Sequence, residues 1–418
     1  MTSLNTAVTA RDGSETTGTA VQRVHFGGFE ILRALAAVMV VLHHAGNLAG
    51  AARTGRLSTL TEVMDTGVAV FFVLSGFLIY RPFVAAQVEG RSTQRTGAFW
   101  WRRVLRIVPA YWITLTFFWA LGAFTLGPQW WRYYLFLQIY SPSTALGGVV
   151  QAWSLCTEMT FYLLIPIWVL IVGRLARTAG TAGGRAAWHL AGCGVLWLGG
   201  IVSRIVMEAW WPSRRALSFD WLPTNLDLFA TGMALAVVSV WAAHHAPLRA
   251  RLDSVASWVW PWWLAAGALF AWYAYGVGPA PSFEVGYVGW FWQRRQLVLG
   301  LFTLLLMVPA TFGAQDRGWL RRAWSWKPIV WVGTVSYGIY LWHFDWMKRS
   351  IASFGAFGQE RWPGWVHTPP GDSSFVYLVG VGLLAGGLFA AVSWYFLEQP
   401  MQRFKGGPRA LGATRARQ

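Results

Sequence analysis

Two side chains able to do chemistry interrupt an apolar run, Glu30-Ile-Leu-Arg33-Ala-Leu-Ala-Ala-Val-Met-Val-Val-Leu-His43-His44. At about 100° per residue, Arg33 and His44 share one helical face, ~20° apart after three turns and about 16 Å apart along the axis. His43 points ~100° away from that face. An imidazole titrates near neutrality, so it can serve as a general base or as a transient acyl carrier. A guanidinium grips phosphate through paired hydrogen bonds. Ionisable groups inside a membrane span are costly and are functional candidates by default. The plainer reading has Arg33 snorkelling to the interface and His44 bonded within the bundle.

The elements that carry these residues are membrane helices. Of 418 residues, 55% are hydrophobic and only 12% charged, with mean hydropathy +0.41. A soluble domain carries about 25% charge. The net charge of +17 does not indicate nucleic acid, because the basic residues fall between apolar runs as membrane topology demands. Cys156 and Cys193 lie within expected spans and read as buried small residues. Several of the 30 tryptophans cluster near span ends, as interfacial belts do.

The expected architecture is an all-α polytopic bundle of about ten spans: 29–49, 64–82, 104–124, 153–173, 186–207, 221–242, 257–278, 295–313, 328–347 and 375–397. Each approaches the ~20 residues a helix needs to cross. The short stretch 130–140 is expected at the interface. Residues 1–28, rich in Thr, Ser and Gly, read as a disordered cytoplasmic tail. Residues 29–400 form one membrane domain, and 401–418 a basic cytoplasmic tail. Arginines crowd the loops after spans two, four and eight and the C-terminal tail, whereas the loop between spans three and four holds only Arg132. The positive-inside rule therefore puts both termini in the cytoplasm.

Counting 1.5 Å per residue from each span end places His44, Glu158, Asp227 and His343 at one level in the outer third. Buried charges face one another or a wet cavity, which predicts a polar chamber opening outward. Interhelical hydrogen bonds that only hold the bundle together are the alternative, above all for Asp227 and His343. On the cytoplasmic side Arg33, Arg102, Arg103 and Arg106 cluster, with Arg103 and Arg106 on one face. Ordinary positive-inside anchoring is the competing explanation there.

Six blocks in order resemble the integral-membrane acyltransferase 3 family. They are Leu32-Arg33-Ala34-Leu35-Ala36 with His44; Gly67-Val-Ala-Val-Phe71-Phe72-Val-Leu-Ser75-Gly76-Phe77; Trp101-Arg102-Arg103-Val-Leu-Arg106-Ile-Val-Pro109; Trp153-Ser154-Leu155-Cys-Thr-Glu158-Met-Thr-Phe161-Tyr162; Ser336-Tyr-Gly338-Ile-Tyr340-Leu-Trp-His343; and Glu398-Gln-Pro400. The likeness runs from about residue 26 to 404. Ala69 departs from it, because many members have an acid there. That role is either lost or carried elsewhere, for instance by Asp65. Some members add a C-terminal extracytoplasmic hydrolase-like domain; without one, the membrane domain or a partner is expected to complete transfer.

The resemblance implies a membrane acyltransferase domain in the plasma membrane of a bacterium. Its expected donor is a cytoplasmic acyl-CoA, chiefly acetyl-CoA, and its acceptor a hydroxyl of a sugar-containing molecule: an envelope polysaccharide, a glycolipid or a macrolide. It implies catalytic roles for Arg33, His44 and Glu158, with Glu158 orienting the imidazole as the acid of a triad does. Arg33, Arg102, Arg103 and Arg106 would hold the donor, and Ser75, Trp153, Asp227, Tyr340 and His343 the acceptor. No histidine pair has the i, i+4 spacing of a helical zinc site, so no metal is expected. A transporter or flippase of a glycolipid or polar metabolite would suit ten spans and a polar chamber as well.

Overall fold

The computed structural model describes residues 26–50, 58–276, 288–315, 318–351 and 372–406. Residues 1–25 and 407–418, the bulk of the two expected tails, lie outside them. Helices of 13 to 29 residues stand at the ten expected positions: α1 (Gly28–Ala49), α2 (Thr66–Val88), α3 (Thr96–Ala120), α4 (Trp153–Ala176), α5 (Ala182–Trp210), α6 (Leu222–Ala243), α7 (Val259–Ala271), α8 (Trp290–Thr311), α9 (Lys327–Ser350) and α10 (Asp372–Ser393). Seven helical stretches, containing α1, α2, α4, α5, α6, α8 and α10, are long and apolar enough to cross a membrane. This is a multi-pass helical membrane protein. α3 starts eight residues before the expected span because arginines propagate a helix well although they end a hydropathy run.

Contacts fix the relative directions of the helices. α1 and α9 run parallel. Near one end Gly333 lies against Glu30, where a Cβ would stand 2.2 Å from the Glu30 carbonyl oxygen. Near the other, the His44 and His343 rings are 5.2 Å apart. α2 is antiparallel to α1: Gly67 packs on Ala36 and Val40, and Phe77 on Phe29 at 5.0 Å. α6 runs parallel to α2, with Phe72 stacked on Phe229 at 4.8 Å and Arg81 Nε donating to Ser239 Oγ at 3.1 Å. Gly232 permits that approach, since a Cβ there would sit 1.9 Å from the Val73 carbonyl oxygen. α4 also runs with α2, through Ser75 to Glu158 and Gln87 to the Val169 carbonyl.

The connection between α3 and α4 does not stay at the surface. Residues 130–140 form a short helix, Trp130–Tyr134, and a 3-10 turn, Gln138–Tyr140. Both pack along α3: Tyr111 Oη donates to the Tyr133 carbonyl at 3.0 Å and Trp112 Nε1 to the Tyr134 carbonyl at 2.8 Å. Gln138, Ile139, Val149, Gln151 and Ala152 are buried. Gln151 Nε2 then donates to the Leu341 carbonyl at 2.7 Å, midway along α9. Hence α4 begins inside the bundle, where buried backbone groups have found the partners they require.

Candidate active site

Of the four groups expected together at one outer level, His44 and His343 meet, Glu158 joins the arginines, and Asp227 pairs with Arg204. The arginine cluster lies toward the Glu30 end. A cleft there is lined by Arg33 of α1, Ser75 of α2, Arg103 and Arg106 of α3, Ser154, Glu158 and Tyr162 of α4, and Ser336, Tyr337 and Tyr340 of α9. It continues into a mouth of about 190 Å³ lined by Glu30, Arg33, Arg106, Tyr337, Glu398 and Lys405, among others. Arg33, Arg106, Ser336 and Tyr337 line both parts. Arg33 Nη1 donates to Glu30 Oε1 at 2.8 Å. Arg103 lies over the Phe99 and Tyr162 rings, its guanidinium carbon 5.6 Å from each centroid. Such cation–π contacts offset part of the cost of burying a guanidinium.

Arg102 is not part of this group. It sits ~100° round α3 from Arg103, and its guanidinium donates to Gln94.

Glu158 belongs to the arginine cluster. Its Oε1 accepts from Ser75 Oγ and from Tyr162 Oη. This corrects the expectation that Glu158 orients the His44 imidazole. The depth count started α4 at the membrane surface, whereas the helix starts within the bundle, so Glu158 lies deeper than the count gave. Ser75 fixes the level, because its neighbour Phe77 packs on Phe29, beside Arg33 and far from His44.

The second cluster lies toward the other end of α1. The His44 ring stands 5.2 Å from His343 and 4.2 Å from Phe344. His343 is fully buried; its Nδ1 donates to the Ile339 carbonyl at 2.9 Å, and its Nε2 has no hydrogen-bond partner. Arg33 and His44 thus both turn toward α9, as their eleven-residue spacing requires. His43 turns elsewhere: Nδ1 donates to the Thr61 carbonyl and Nε2 accepts from Asn47 Nδ2, both at 3.0 Å. Among the described residues no group of three or more His, Cys, Asp or Glu is placed to hold a metal ion.

Tyr340 links the clusters. It lines the cleft, and its ring is 6.2 Å from His343 and 5.9 Å from Phe71. Its hydroxyl donates to the Gln151 carbonyl and contacts Ser154 Oγ, each at 2.7 Å, which pins α9 to the start of α4. Two other expected acceptor ligands lie apart. Asp227 is held by Arg204 of α5, with Nη1 to Oδ1 at 3.1 Å and Nη2 to Oδ2 at 2.9 Å. Trp153 turns to Phe72 and Phe219 and lines a separate small pocket with Asp65, Ala69 and Arg295. Its neighbour Ser154 faces the cleft. Asp65, the expected substitute for an acid at position 69, pairs with Arg295.

Residues 26–384 match the acyltransferase 3 model, described as an acyltransferase domain. The chain belongs to the acyltransferase 3 family. It is 24% identical to peptidoglycan O-acetyltransferase OatA of Listeria monocytogenes over 346 residues, covering 78% of this chain and 50% of that protein. It thus spans about half the length of that relative. Nodulation protein 10 of Rhizobium leguminosarum is 24% identical over 91% of this chain and 94% of its own length. Acyltransferase MdmB of Streptomyces mycarofaciens is 24% identical over 85% of each chain. No solved structure matches the chain.

Tyr162, Tyr337, Glu30 and Lys405, to which sequence motifs assign no site role, also line the cleft or its mouth. Helical spacing was the available signal for Tyr162 and Glu30: each lies one turn from a residue already singled out, Glu158 and Arg33.

Proposed function

We propose that this family member is an O-acyltransferase of a bacterial plasma membrane, moving an acetyl group from acetyl-CoA to a hydroxyl of a sugar-containing acceptor. The observation that carries this reading is the cleft itself. Three arginines from two helices line a passage that ends at Tyr340, next to the His343–His44 pair. Guanidinium groups suit the donor's phosphates, and the Glu30 end would face the cytoplasm by the distribution of basic loops. The reactive thioester would then lie toward Tyr340. The names of the Listeria and Streptomyces relatives support acyl transfer, the first to peptidoglycan.

In the reaction the acceptor hydroxyl oxygen attacks the thioester carbonyl and its proton passes to His44. The C–S bond breaks, and the CoA sulfur leaves with that proton. If His44 carries the acyl group first, its ring nitrogen attacks the thioester carbonyl, the C–S bond breaks and the CoA sulfur leaves with the proton the ring gives up. The acceptor hydroxyl then attacks the acyl carbon, the N–C bond breaks and the hydroxyl proton returns to the ring. Glu158 holds Ser75 and Tyr162 beside the arginines and so shapes the donor end.

The test is direct. Purified protein receives acetyl-CoA labelled in the acetyl group, with and without envelope glycans, and free CoA and labelled glycan are measured. Acceptor-dependent CoA release that is lost in His44→Ala supports the reading. A protein that binds or moves glycan without releasing CoA is a transporter, and the reading falls.

A further inference from the structure

The mouth of the cleft holds groups that the reaction above does not use. Lys405 and Gln402 line it together with Trp394 and Glu398, all from the turn that follows α10. Lys405 Nζ donates to Gln402 Oε1 at 3.0 Å. The turn is fastened in place: Trp101 Nε1 of α3 donates to the Phe404 carbonyl at 3.0 Å, and Ser393 Oγ to Glu398 Oε1 at 3.0 Å. The helix widens to a π-turn over Trp394–Glu398, a deformation frequent at functional sites. Across the mouth, Glu30 Oε2 is buried with no hydrogen-bond partner.

The cations are therefore strung along the cleft. Arg103 lines only the part of the cleft that reaches Tyr340, Arg33 and Arg106 are shared by both parts, and Lys405 lines the mouth alone. A ligand with all its phosphate at one point would leave one end of that row unused. A ligand with a diphosphate and a separate monophosphate would use all of it. Arginine forks suit the adjoining oxygens of a diphosphate, and a lysine ammonium is a compact point charge suited to one phosphate. The vacant Glu30 oxygen can accept from a ribose hydroxyl or a base amino group. Trp394 offers an indole to the base.

We propose that the turn Trp394–Lys405 seats the nucleotide end of the donor, with Lys405 contacting the 3′-phosphate of CoA. This assignment rests on the acyl-CoA reading above and locates one end of that ligand.

The experiment compares CoA with 3′-dephospho-CoA. Binding of each is measured by calorimetry on the full chain in phosphatidylcholine nanodiscs, for wild type, Lys405→Ala and Lys405→Arg. Wild type should prefer CoA by about tenfold or more, the worth of one hydrogen bond between charged groups. Lys405→Ala should lose that preference while binding dephospho-CoA as wild type does, and Lys405→Arg should keep most of it. A preference that survives Lys405→Ala overturns the assignment. So does a preference that vanishes in phosphatidylglycerol nanodiscs, since a lipid phosphate then holds Lys405. If wild type binds neither compound, the acyl-CoA reading itself fails.

Discussion

His43 and His44 are adjacent on α1, and the structure gives them separable duties. His43 uses both ring nitrogens, to the Thr61 carbonyl and Asn47, each at 3.0 Å. Each neutral hydrogen bond contributes about 0.5–1.5 kcal/mol net, so His43→Ala should cost about 1–3 kcal/mol of stability. Its effect on turnover per folded molecule should be small. His44 has ring neighbours in His343 and Phe344 and faces the same helix as Arg33. His44→Ala should therefore cost less stability, while losing a general base or acyl carrier lowers turnover by at least ~10²-fold. The assay is a pair of measurements on each variant: thermal unfolding in detergent, and CoA release normalised to folded protein. The two variants should fall on opposite corners of that plot. If His43→Ala is inactive at wild-type stability while His44→Ala turns over normally, the face shared with Arg33 has no catalytic meaning.

Other expectations follow from the same contacts. Arg103→Ala or Arg106→Ala should weaken acetyl-CoA binding by about 10-fold or more, the loss of a charge-assisted bond; unchanged calorimetric affinity in both would leave them as topological anchors. Arg204→Ala should cost about 3–5 kcal/mol by stranding the buried Asp227 carboxylate, read as a fall in thermal stability, and pairing Arg204→Met with Asp227→Leu should recover most of it. Reporter fusions after Gln418 and near Gly147 should report opposite sides of the membrane, because the basic loops alternate.

Much of the architecture could be read from hydropathy. The apolar runs marked helices at all ten positions, and helical geometry put Arg33 and His44 on one face while turning His43 away. Depth could not be read in the same way. Counting residues from a span end assumes that the end lies at the membrane surface. That fails for α4, whose first residues are tied to the middle of α9 through Gln151, Ser154 and Tyr340. The error moved Glu158 from the arginine cluster to the histidines. Arg102 shows a different limit: proximity in sequence to Arg103 does not survive a ~100° turn. The partners of Asp227 and Asp65 were visible in principle, because Arg204 and Arg295 are charges within apolar runs and such charges need a counter-charge.

Separating the carboxylate from the histidines changes what the site asks of its substrate. A triad-like site needs base, acid and reacting bond at one point. Here the anion-binding groups and the imidazoles lie toward opposite ends of one helix face, about 16 Å apart between Arg33 and His44 at 1.5 Å per residue. Only a ligand with a long arm between its phosphates and its reactive group reaches both. Tyr340 and Phe71, with rings 5.9 Å apart, stand on that path. Tyr340 is held by two hydrogen bonds to the Gln151–Ser154 turn. The segment before α4, an ordinary loop by hydropathy, thereby sets the width of the passage between the donor's anchor and the base.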